Sequence, residues 1–214
     1  MQVEFPDSLF ITGTDTGVGK SLVSAILVVG LQAEYWKPIQ SGLDGITDTN
    51  WIRKKTELPK EFFHQETYRL KRSLSPHVSA QAEGVRIHLD AFQLPRVKSH
   101  HLVVEGAGGI MVPLNEQDLM IDLMKKLGLP IVLIARSTLG TINHTLLSLE
   151  QLRRNELNVI GVVMNGPRNA GNREAIEHYG KVSVLAEIEP LSDINPKTLR
   201  KQFDLHFLNR SLNS

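Results

Sequence analysis

Residues 12–21 read Thr12-Gly13-Thr14-Asp15-Thr16-Gly17-Val18-Gly19-Lys20-Ser21. A short apolar run, Leu9-Phe10-Ile11, precedes them, and residues 22–31 are almost wholly apolar. The order of strand, glycine-rich turn and helix is the setting that a phosphate-binding loop requires. Glycines let successive backbone N–H groups point at an anion, and the helix N-terminus adds partial positive charge there. The pattern therefore predicts a site for phosphate groups, such as those of a nucleoside triphosphate.

The last two residues of this loop carry side chains suited to phosphate chemistry. Lys20 supplies a mobile positive charge for the outer phosphates, and Ser21 places a hydroxyl where a magnesium ion would bind. The loop is a variant, because it has one residue more between Gly13 and Gly19 than the standard pattern. An ordinary glycine-rich turn is the competing interpretation, but Gly-Lys-Ser at the helix start favours a phosphate site. The loop alone does not identify a reaction.

The bulk composition is that of one globular domain, predicted over residues 1–214 with a polar tail at about 195–214. Lys and Arg number 24 and Asp and Glu 23, a net charge of +1, which gives no general attraction to nucleic acid or anionic membranes. The absence of cysteine excludes disulfides, thiolate metal sites and a cysteine nucleophile. With no secretory signal and no apolar run of the roughly 20 residues that span a bilayer, we expect a cytoplasmic protein.

Strand and helix patterns alternate along the whole chain. Continuous apolar runs, which are typical of a parallel sheet covered on both faces, predict buried strands at residues 102–105, 131–135, 159–164 and 182–188. The predicted fold class is α/β, a single-domain P-loop NTPase-like fold with a mostly parallel sheet and helices on both faces. The right-handed crossover rule then places Gly13, Lys37, Glu105 and Asn165 at one edge of that sheet.

Four segments outside the strands receive local predictions. A polar loop is expected after Pro38, which ends the ladder of the second strand at about Lys37. A helix is expected from His88 to about Val97. The stretch Asn115-Glu116-Gln117-Asp118 resembles a capping box that opens the following helix. Residues 195–214 are predicted to form a polar tail with one helix.

Two carboxylates are candidate metal ligands. Glu105 ends an apolar strand and is followed by Gly106-Ala107-Gly108-Gly109, which is the setting of a magnesium ligand in a phosphate-loop protein. A tight turn with a solvated Glu105 is the alternative. Asp48 either caps a helix from about Thr49 to Thr56 or belongs to the metal shell, and its spacing does not decide between the two.

Five motifs occur together in one order, and as a set they resemble the dethiobiotin synthetase family over residues 10–190. They are Thr12 to Ser21, Lys37-Pro38-Ile39-Gln40-Ser41-Gly42, Ser75-Pro76-His77, Glu105-Gly106-Ala107-Gly108-Gly109 and Leu139-Gly140-Thr141-Ile142-Asn143-His144. The five-residue spacing in the phosphate loop is expected in that family. The resemblance implies an ATP-dependent carboxylase that closes the ureido ring in biotin synthesis.

The implied reaction has three steps. Carbon dioxide, or bicarbonate as its source, carbamylates one amine of 7,8-diaminononanoate, and a carbamate oxygen attacks the γ-phosphate to give a carbamic–phosphoric anhydride. The second amine then displaces phosphate and closes the ring. Such a reaction requires neutralised phosphate and carbamate charges and an aligned amine, with little covalent help from the protein.

The resemblance also implies roles for individual residues. The nucleotide-binding set comprises Gly13, Thr14, Asp15, Thr16, Gly17, Val18, Gly19, Lys20, Ser21, Asn165, Pro190, Leu191 and Asp193. The catalytic set is Lys37, Lys20 and Thr16, the Mg²⁺ ligands are Ser21, Asp48 and Glu105, and the substrate-binding set is Ser41, Gly108, Gly109 and Asn143. The substrate carboxylate reaches the partner subunit in this family, so a homodimer is expected with residues 140–144 at its interface.

Two positions depart from the family pattern, and two other protein classes are possible. Family members often have Glu where Gly17 stands and Thr where Ser21 stands, so the contact that this Glu makes is not expected here. The alternative is a partitioning-type switch ATPase of the same superfamily. Those proteins carry an early lysine where this chain has Asp15, which counts against them. A nucleotide-binding module without catalysis is a third possibility, against which Lys37 and Glu105 argue.

Overall fold

The computed structural model describes residues 5–208, and parallel strands form its centre. The strands are β1 (Ser8–Gly13), β2 (Glu34–Trp36), β3 (Ile39–Ser41), β4 (Phe63–His64), β5 (Tyr68–Leu70), β6 (Leu102–Gly109), β7 (Ile131–Arg136), β8 (Val159–Asn165) and β9 (Val184–Ile188). The helices are α1 (Lys20–Leu31), α2 (Asp48–Thr56), α3 (Pro76–Ala82), α4 (Met120–Leu127), α5 (Thr141–Arg154), α6 (Ala170–Gly180) and α7 (Pro196–Phe203).

Seven strands form one parallel sheet in the order β4-β2-β6-β1-β7-β8-β9, and β3 pairs with β5 beside it. Side chains alternate across the sheet, so Phe10 packs into one apolar cluster while Leu9 and Ile11 pack into the other. The cluster with Leu9 and Ile11 is completed by α1, α2 and α7, and the one with Phe10 by α3 to α6. The predicted α/β class with both sheet faces covered is confirmed.

The sheet gathers the predicted site at its carboxyl edge. β1 lies between β6 and β7, and its register sets Ile11 opposite Glu105 and Gly13 opposite Gly109. β2 pairs with the other side of β6, so the strand that precedes Lys37 is next to the one that carries Glu105. The phosphate loop, Lys37 and Glu105 therefore meet although they are distant in sequence.

Three local predictions are wrong. Residues 39–41 form a strand instead of a polar loop, because their backbone pairs with β5. The segment predicted as a helix from His88 to Val97 has only a short turn at Leu89–Ala91, and Pro95 in it disfavours a continuing helix. The predicted capping box at 115–118 is a turn of its own, while Asp122 accepts a hydrogen bond from the Leu119 N–H and caps α4.

In the C-terminal segment the one predicted helix is present as α7, but the segment is not an exposed polar tail. Leu199, Phe203 and Phe207 recur every fourth residue and are buried. As a result α7 packs on α1, and the π-helical turn at Asp204–Leu208 packs against β9. Gly30 makes room for this contact, since a Cβ there would lie 2.0 Å from the Phe203 ring. The part of the predicted tail at 209–214 lies outside the described residues.

Within residues 5–208, the structure contains no helix that is both long enough and apolar enough to cross a membrane.

Candidate functional site

The phosphate loop runs from the end of β1 to the first turn of α1. Gly17 and Gly19 have φ angles of 73° and 102°, values in the left-handed region that favours glycine. Asn165, at the end of β8, donates from Nδ2 to the Val18 carbonyl at 3.0 Å. A Cβ at position 19 would lie 2.2 Å from that same nitrogen, so only glycine fits there. Asn165 thus holds the loop in its curled conformation.

Lys20 lies folded over this loop and is almost fully buried. Its Nζ donates to the Asp15 carbonyl at 2.9 Å. Burial lowers the pKa of Lys20 to about 8, because the nearby Glu105 carboxylate only partly offsets the loss of hydration. A bound phosphate could therefore draw the Lys20 ammonium away from the Asp15 carbonyl, which carries no charge.

Asp15 stabilises the outer side of the loop. Its carboxylate accepts a hydrogen bond from the Thr16 N–H at 2.7 Å and is paired with Arg136 at the end of β7. The hydrogen bond from Thr16 and the charge of Arg136 together lower the pKa of Asp15. Arg136 was not predicted, because nothing in its local sequence connects it with the loop.

Glu105 is the centre of the site. It is 1% exposed, and its two carboxylate oxygens accept from different donors. Oε1 accepts from Ser21 Oγ at 2.9 Å and from Lys37 Nζ at 3.1 Å. Oε2 accepts from Ser24 Oγ at 2.7 Å and from Tyr35 OH at 3.1 Å. The alternative of a solvated Glu105 in a tight turn is wrong, because the strand continues through Gly109 and carries the side chain inward.

Asp48 faces the same point and is not a helix cap. Thr47 caps α2, since its Oγ1 accepts from the Asn50 N–H at 3.3 Å. Asp48 thereby lies 2.9 Å from Ser21 Oγ and pairs with Lys37 Nζ at 2.7 Å. The single Ser21 proton is donated to Asp48 or to Glu105 at any one time. Burial would raise the pKa of Asp48, but the ammonium of Lys37 holds it below its usual range.

Lys37 bridges the two carboxylates. Its Nζ contacts Asp48 Oδ2, Glu105 Oε1 and the Gly106 carbonyl, the last at 3.4 Å. Burial alone would lower the pKa of Lys37, but Glu105 and Asp48 raise it above its usual value. The lysine therefore carries a full positive charge at a point where two negative side chains converge.

These groups line one cavity of about 670 Å³. Part of its wall is apolar and comes from Leu22, Trp51, Leu74 and Val112. The predicted site residues that line the cavity are Thr16, Gly17, Gly19, Lys20, Ser21, Lys37, Ser41, Asp48, Glu105 and Gly108. Of these, Ser41 has a buried Oγ with no hydrogen-bond partner among the described residues. An unpaired hydroxyl in a cavity wall is a group that a polar ligand would satisfy.

Several predicted site residues lie outside that wall. Gly109 packs behind it, with an added Cβ 3.5 Å from the carbonyls of Gly13 and Thr14. Pro190 and Leu191 follow β9 next to the strand end that carries Asn165. Asp193 accepts from Asn195 Nδ2 at 2.5 Å, beside the N-terminus of α7.

Asn143, a predicted substrate residue, lies in a different pocket. It lies on the exposed side of α5, in a separate pocket of about 300 Å³ with Leu147 and Tyr179. Leu147 and Tyr179 are both exposed apolar side chains. A single chain therefore does not bring Asn143 to the Glu105 cavity.

Other residues of the site receive no role from the sequence, although Gln40 and Ser75 stand in two of the motifs quoted above. They are Ser24 and Tyr35 behind Glu105, Gln40, whose Oε1 accepts from the Asp48 N–H at 3.1 Å, and the Ser73-Leu74-Ser75 stretch in the cavity wall. Ser24 follows Ser21 by three residues on an otherwise apolar helix, so both hydroxyls share one face. This spacing could have predicted from the sequence that Ser24 lies beside Ser21.

The donor set suits a magnesium ion that also binds phosphate. Among residues 5–208, no cluster of three His, Cys, Asp or Glu side chains could hold a metal. Ser21, Asp48 and Glu105 instead bring one hydroxyl and two carboxylates together beside the phosphate loop. Mg²⁺ commonly takes one or two carboxylates and fills its other positions with water and phosphate oxygens, so these residues fit it.

Comparison with known proteins identifies close relatives. A family model described as an AAA domain matches residues 7–198. The ATP-dependent dethiobiotin synthetase BioD of Paramagnetospirillum magneticum is 52% identical over 191 residues, covering 89% of this chain and 92% of the relative. The enzyme of the same name from Rhodopseudomonas palustris is 44% identical over 93% of this chain and 95% of the relative.

A solved structure shares the fold at low identity. The ParA family ATPase from Chlorobium tepidum superposes with a TM-score of 0.51, covering 93% of this chain and 90% of that one, at 11% identity. At this identity the likeness concerns the fold alone. It confirms the P-loop NTPase-like α/β architecture and adds nothing on the reaction.

The lowered pKa of Lys20 predicts proton uptake when a triphosphate binds. The amine is partly neutral above about pH 8, and negative phosphates beside it would raise its pKa in the complex. We therefore expect ATP affinity to fall as the pH rises above about 8, with net proton uptake at about pH 8.5. Titration calorimetry in two buffers of different ionisation enthalpy measures this uptake.

The matched control for this titration is Lys20→Arg, whose guanidinium keeps its charge throughout this pH range. The uptake above about pH 8 should disappear in this variant. Equal uptake in both proteins would show that another group takes the proton.

Proposed function

Because the chain belongs to the family of ATP-dependent dethiobiotin synthetases, we propose that the Glu105 cavity is the site of this family's reaction. The enzyme converts 7,8-diaminononanoate, CO₂ and ATP into dethiobiotin, ADP and phosphate, a step of biotin biosynthesis. Identity of 52% across nearly the full length of a named synthetase is the observation that carries this conclusion. The switch ATPase is supported only by a likeness of fold.

The chemistry requires bond changes that charged groups can assist. One amine attacks CO₂ and loses a proton, giving a carbamate. A carbamate oxygen then attacks the γ-phosphorus and ADP leaves, which forms the mixed anhydride. The second amine attacks the carbamyl carbon, loses a proton and expels phosphate, closing the ring. Negative charge accumulates between carbamate and γ-phosphate, so fixed cations there lower the barrier.

Lys37 and Lys20 are our candidates for these cations. Both residues line the cavity; Lys37 directly follows β2 and Lys20 is the first residue of α1. Lys20, with Thr16 and the N–H groups of residues 13–21, would hold the phosphates. Lys37 would move from its two carboxylates to the charge between carbamate and γ-phosphate. While Lys37 is paired with Glu105 and Asp48 its pKa is raised, so it is protonated before any ligand binds.

Mg²⁺ would be held by Ser21, Asp48 and Glu105. When bound, it would supply positive charge to the phosphate oxygens. Its binding would also neutralise the two carboxylates that now hold Lys37. The three protein ligands already converge, because Ser21 Oγ lies 2.9 Å from one oxygen of each carboxylate.

The diamine would lie along the other side of the cavity. Ser41 Oγ, buried and without a partner in the described part of the chain, would hydrogen-bond to the carbamate together with the backbone of Gly108 and Gly109. Apolar side chains such as Leu74 and Val112 would contact the methylene chain. A Cβ added at Gly17 would have no neighbour within 4 Å, so there is space for the Glu that other family members have here. The φ angle of Gly17 is left-handed, however, which would strain the backbone of a Glu.

The nucleotide base and the protein's assembly are further proposals. The base would be bordered by Asn165, at the end of β8, and by Pro190, Leu191 and Asp193, which follow the adjacent strand β9. The whole chain, residues 1–214, would form one P-loop domain located in the cytoplasm, where ATP is available. Two copies would form a homodimer, so that Asn143 of each copy reaches the substrate carboxylate in the other copy's cavity. The exposed Leu147 and Tyr179 beside Asn143 support an interface there.

The activity is tested by phosphate release from ATP, Mg²⁺ and bicarbonate, with and without 7,8-diaminononanoate. We expect release that depends on the diamine, with dethiobiotin detected by mass. Lys37→Ala should lower turnover by roughly 100-fold, as does the loss of one charge-stabilising donor. Lys201→Ala, which removes an exposed lysine on α7, is the control and should have normal turnover.

Release that ignores the diamine would contradict the synthetase activity and favour the switch ATPase. Near-normal turnover of Lys37→Ala would instead remove only Lys37 from the mechanism.

The proposed shared site is tested by mixing two variants. Asn143→Ala should raise the KM for the diamine by roughly 10-fold or more, because it removes a hydrogen bond to a carboxylate. The Asn143→Ala and Lys37→Ala variants are then co-expressed, so that half of the dimers are mixed and each mixed dimer has one intact site of two. About a quarter of wild-type activity should therefore be restored at low diamine concentration. Activity equal to the sum of the separate variants would exclude a site shared between subunits.

A further inference from the structure

The Glu105 carboxylate has two unequal sides. Its Oε1 is contacted by Ser21 and Lys37, both of which line the cavity. Among residues 5–208, its Oε2 has hydrogen bonds only from hydroxyl groups behind the cavity wall, those of Ser24 and Tyr35. One oxygen therefore faces the groups that bind ligands, and the other faces the protein interior.

Ser24 and Tyr35 reach this position from two different elements. Ser24 lies one turn after Ser21 on α1, and Tyr35 lies on β2, the strand paired with β6. Both residues are 0% exposed. Burial and the Glu105 charge raise the pKa of Tyr35 well above its usual value, so its hydroxyl stays a donor.

We propose that Ser24 and Tyr35 are positioning residues that fix Glu105 so that Oε1 alone is offered to the metal. This inference rests on the proposed role of Glu105 as a Mg²⁺ ligand. The terminal torsion of a glutamate is broad, so a carboxylate without fixed partners can rotate. The two hydroxyls remove that freedom by holding Oε2 at 2.7 Å and 3.1 Å.

The neighbouring Lys37 gives this orientation a consequence for metal binding. Lys37 now reaches Oε1 at 3.1 Å and competes with any metal for that oxygen. If Oε2 were released, the carboxylate could turn both oxygens toward the ammonium. The ion pair between Lys37 and Glu105 would then be stronger, and metal binding at Glu105 would be weaker. Loss of such supporting hydrogen bonds typically costs 10–100-fold in metal affinity.

The experiment measures Mn²⁺ affinity by electron paramagnetic resonance of free Mn²⁺, with the protein saturated by ADP and no turnover. We compare wild type with Ser24→Ala, Tyr35→Phe and the double variant, each of which removes a hydroxyl and keeps most of the packing. The double variant should bind Mn²⁺ at least about 10-fold more weakly. ADP affinity without metal should change little.

Two controls separate the possible outcomes. Thr145→Val removes another fully buried hydroxyl, one without a hydrogen-bond partner in the described structure, and should leave Mn²⁺ affinity unchanged. Glu105→Gln should weaken Mn²⁺ binding itself. If it does not, the proposed metal site fails. If Glu105→Gln weakens binding but the double variant binds like wild type, even with a lower melting temperature, Ser24 and Tyr35 are only structural and the inference fails.

Discussion

A buried carboxylate on the sheet edge is the constraint on which this site depends. An ionised Glu105 at 1% exposure is costly unless its charge is neutralised and both oxygens are hydrogen-bonded. The required donors come from α1, from β2 and from Lys37, which directly follows β2. Those elements must therefore pack against β6 in one register. The pairing of Trp36 with Val104 sets it for β2, and that of Ile11 with Glu105 sets it for the strand that leads into the phosphate loop and α1. Stability and function here rest on the same contacts.

The charge balance of the cavity is suited to its proposed ligands. Lys20 and Lys37 face Asp48 and Glu105, so two positive charges meet two negative ones before any nucleotide arrives. Lys37 Nζ and Ser21 Oγ both contact the two carboxylates, which means that the ammonium lies beside the proposed metal position. A metal and a triphosphate would enter together and leave Lys37 available to the carbamate. The cluster can therefore exchange one cation for another without exposing an unpaired carboxylate.

Features that depend on residues close together in the chain could be predicted from the sequence, whereas contacts between distant residues could not. The order of strand, glycine loop and helix predicted the phosphate loop, and the apolar runs predicted the parallel sheet that brings Lys37 to Glu105. Spacing left the role of Asp48 open, because only the packing of α2 shows that Thr47 is the cap. Tyr35 gave no signal, since a tyrosine in a short buried strand is ordinary core. The composition of the C-terminal segment predicts a polar tail, because most of its residues are polar. The apolar residues Leu199, Phe203 and Phe207 stand four positions apart, and this spacing is easily overlooked among them.

The most direct test of this account is a crystal structure with ADP and Mn²⁺, in which anomalous scattering locates the metal. The account predicts a single Mn²⁺ bonded to Ser21 Oγ and to oxygens of Asp48 and Glu105, with Glu105 Oε2 still held by Ser24 and Tyr35. It also predicts that Lys37 has left Asp48 and points into the cavity. A metal bound elsewhere, or Lys37 still bridging both carboxylates beside bound Mn²⁺, would contradict it.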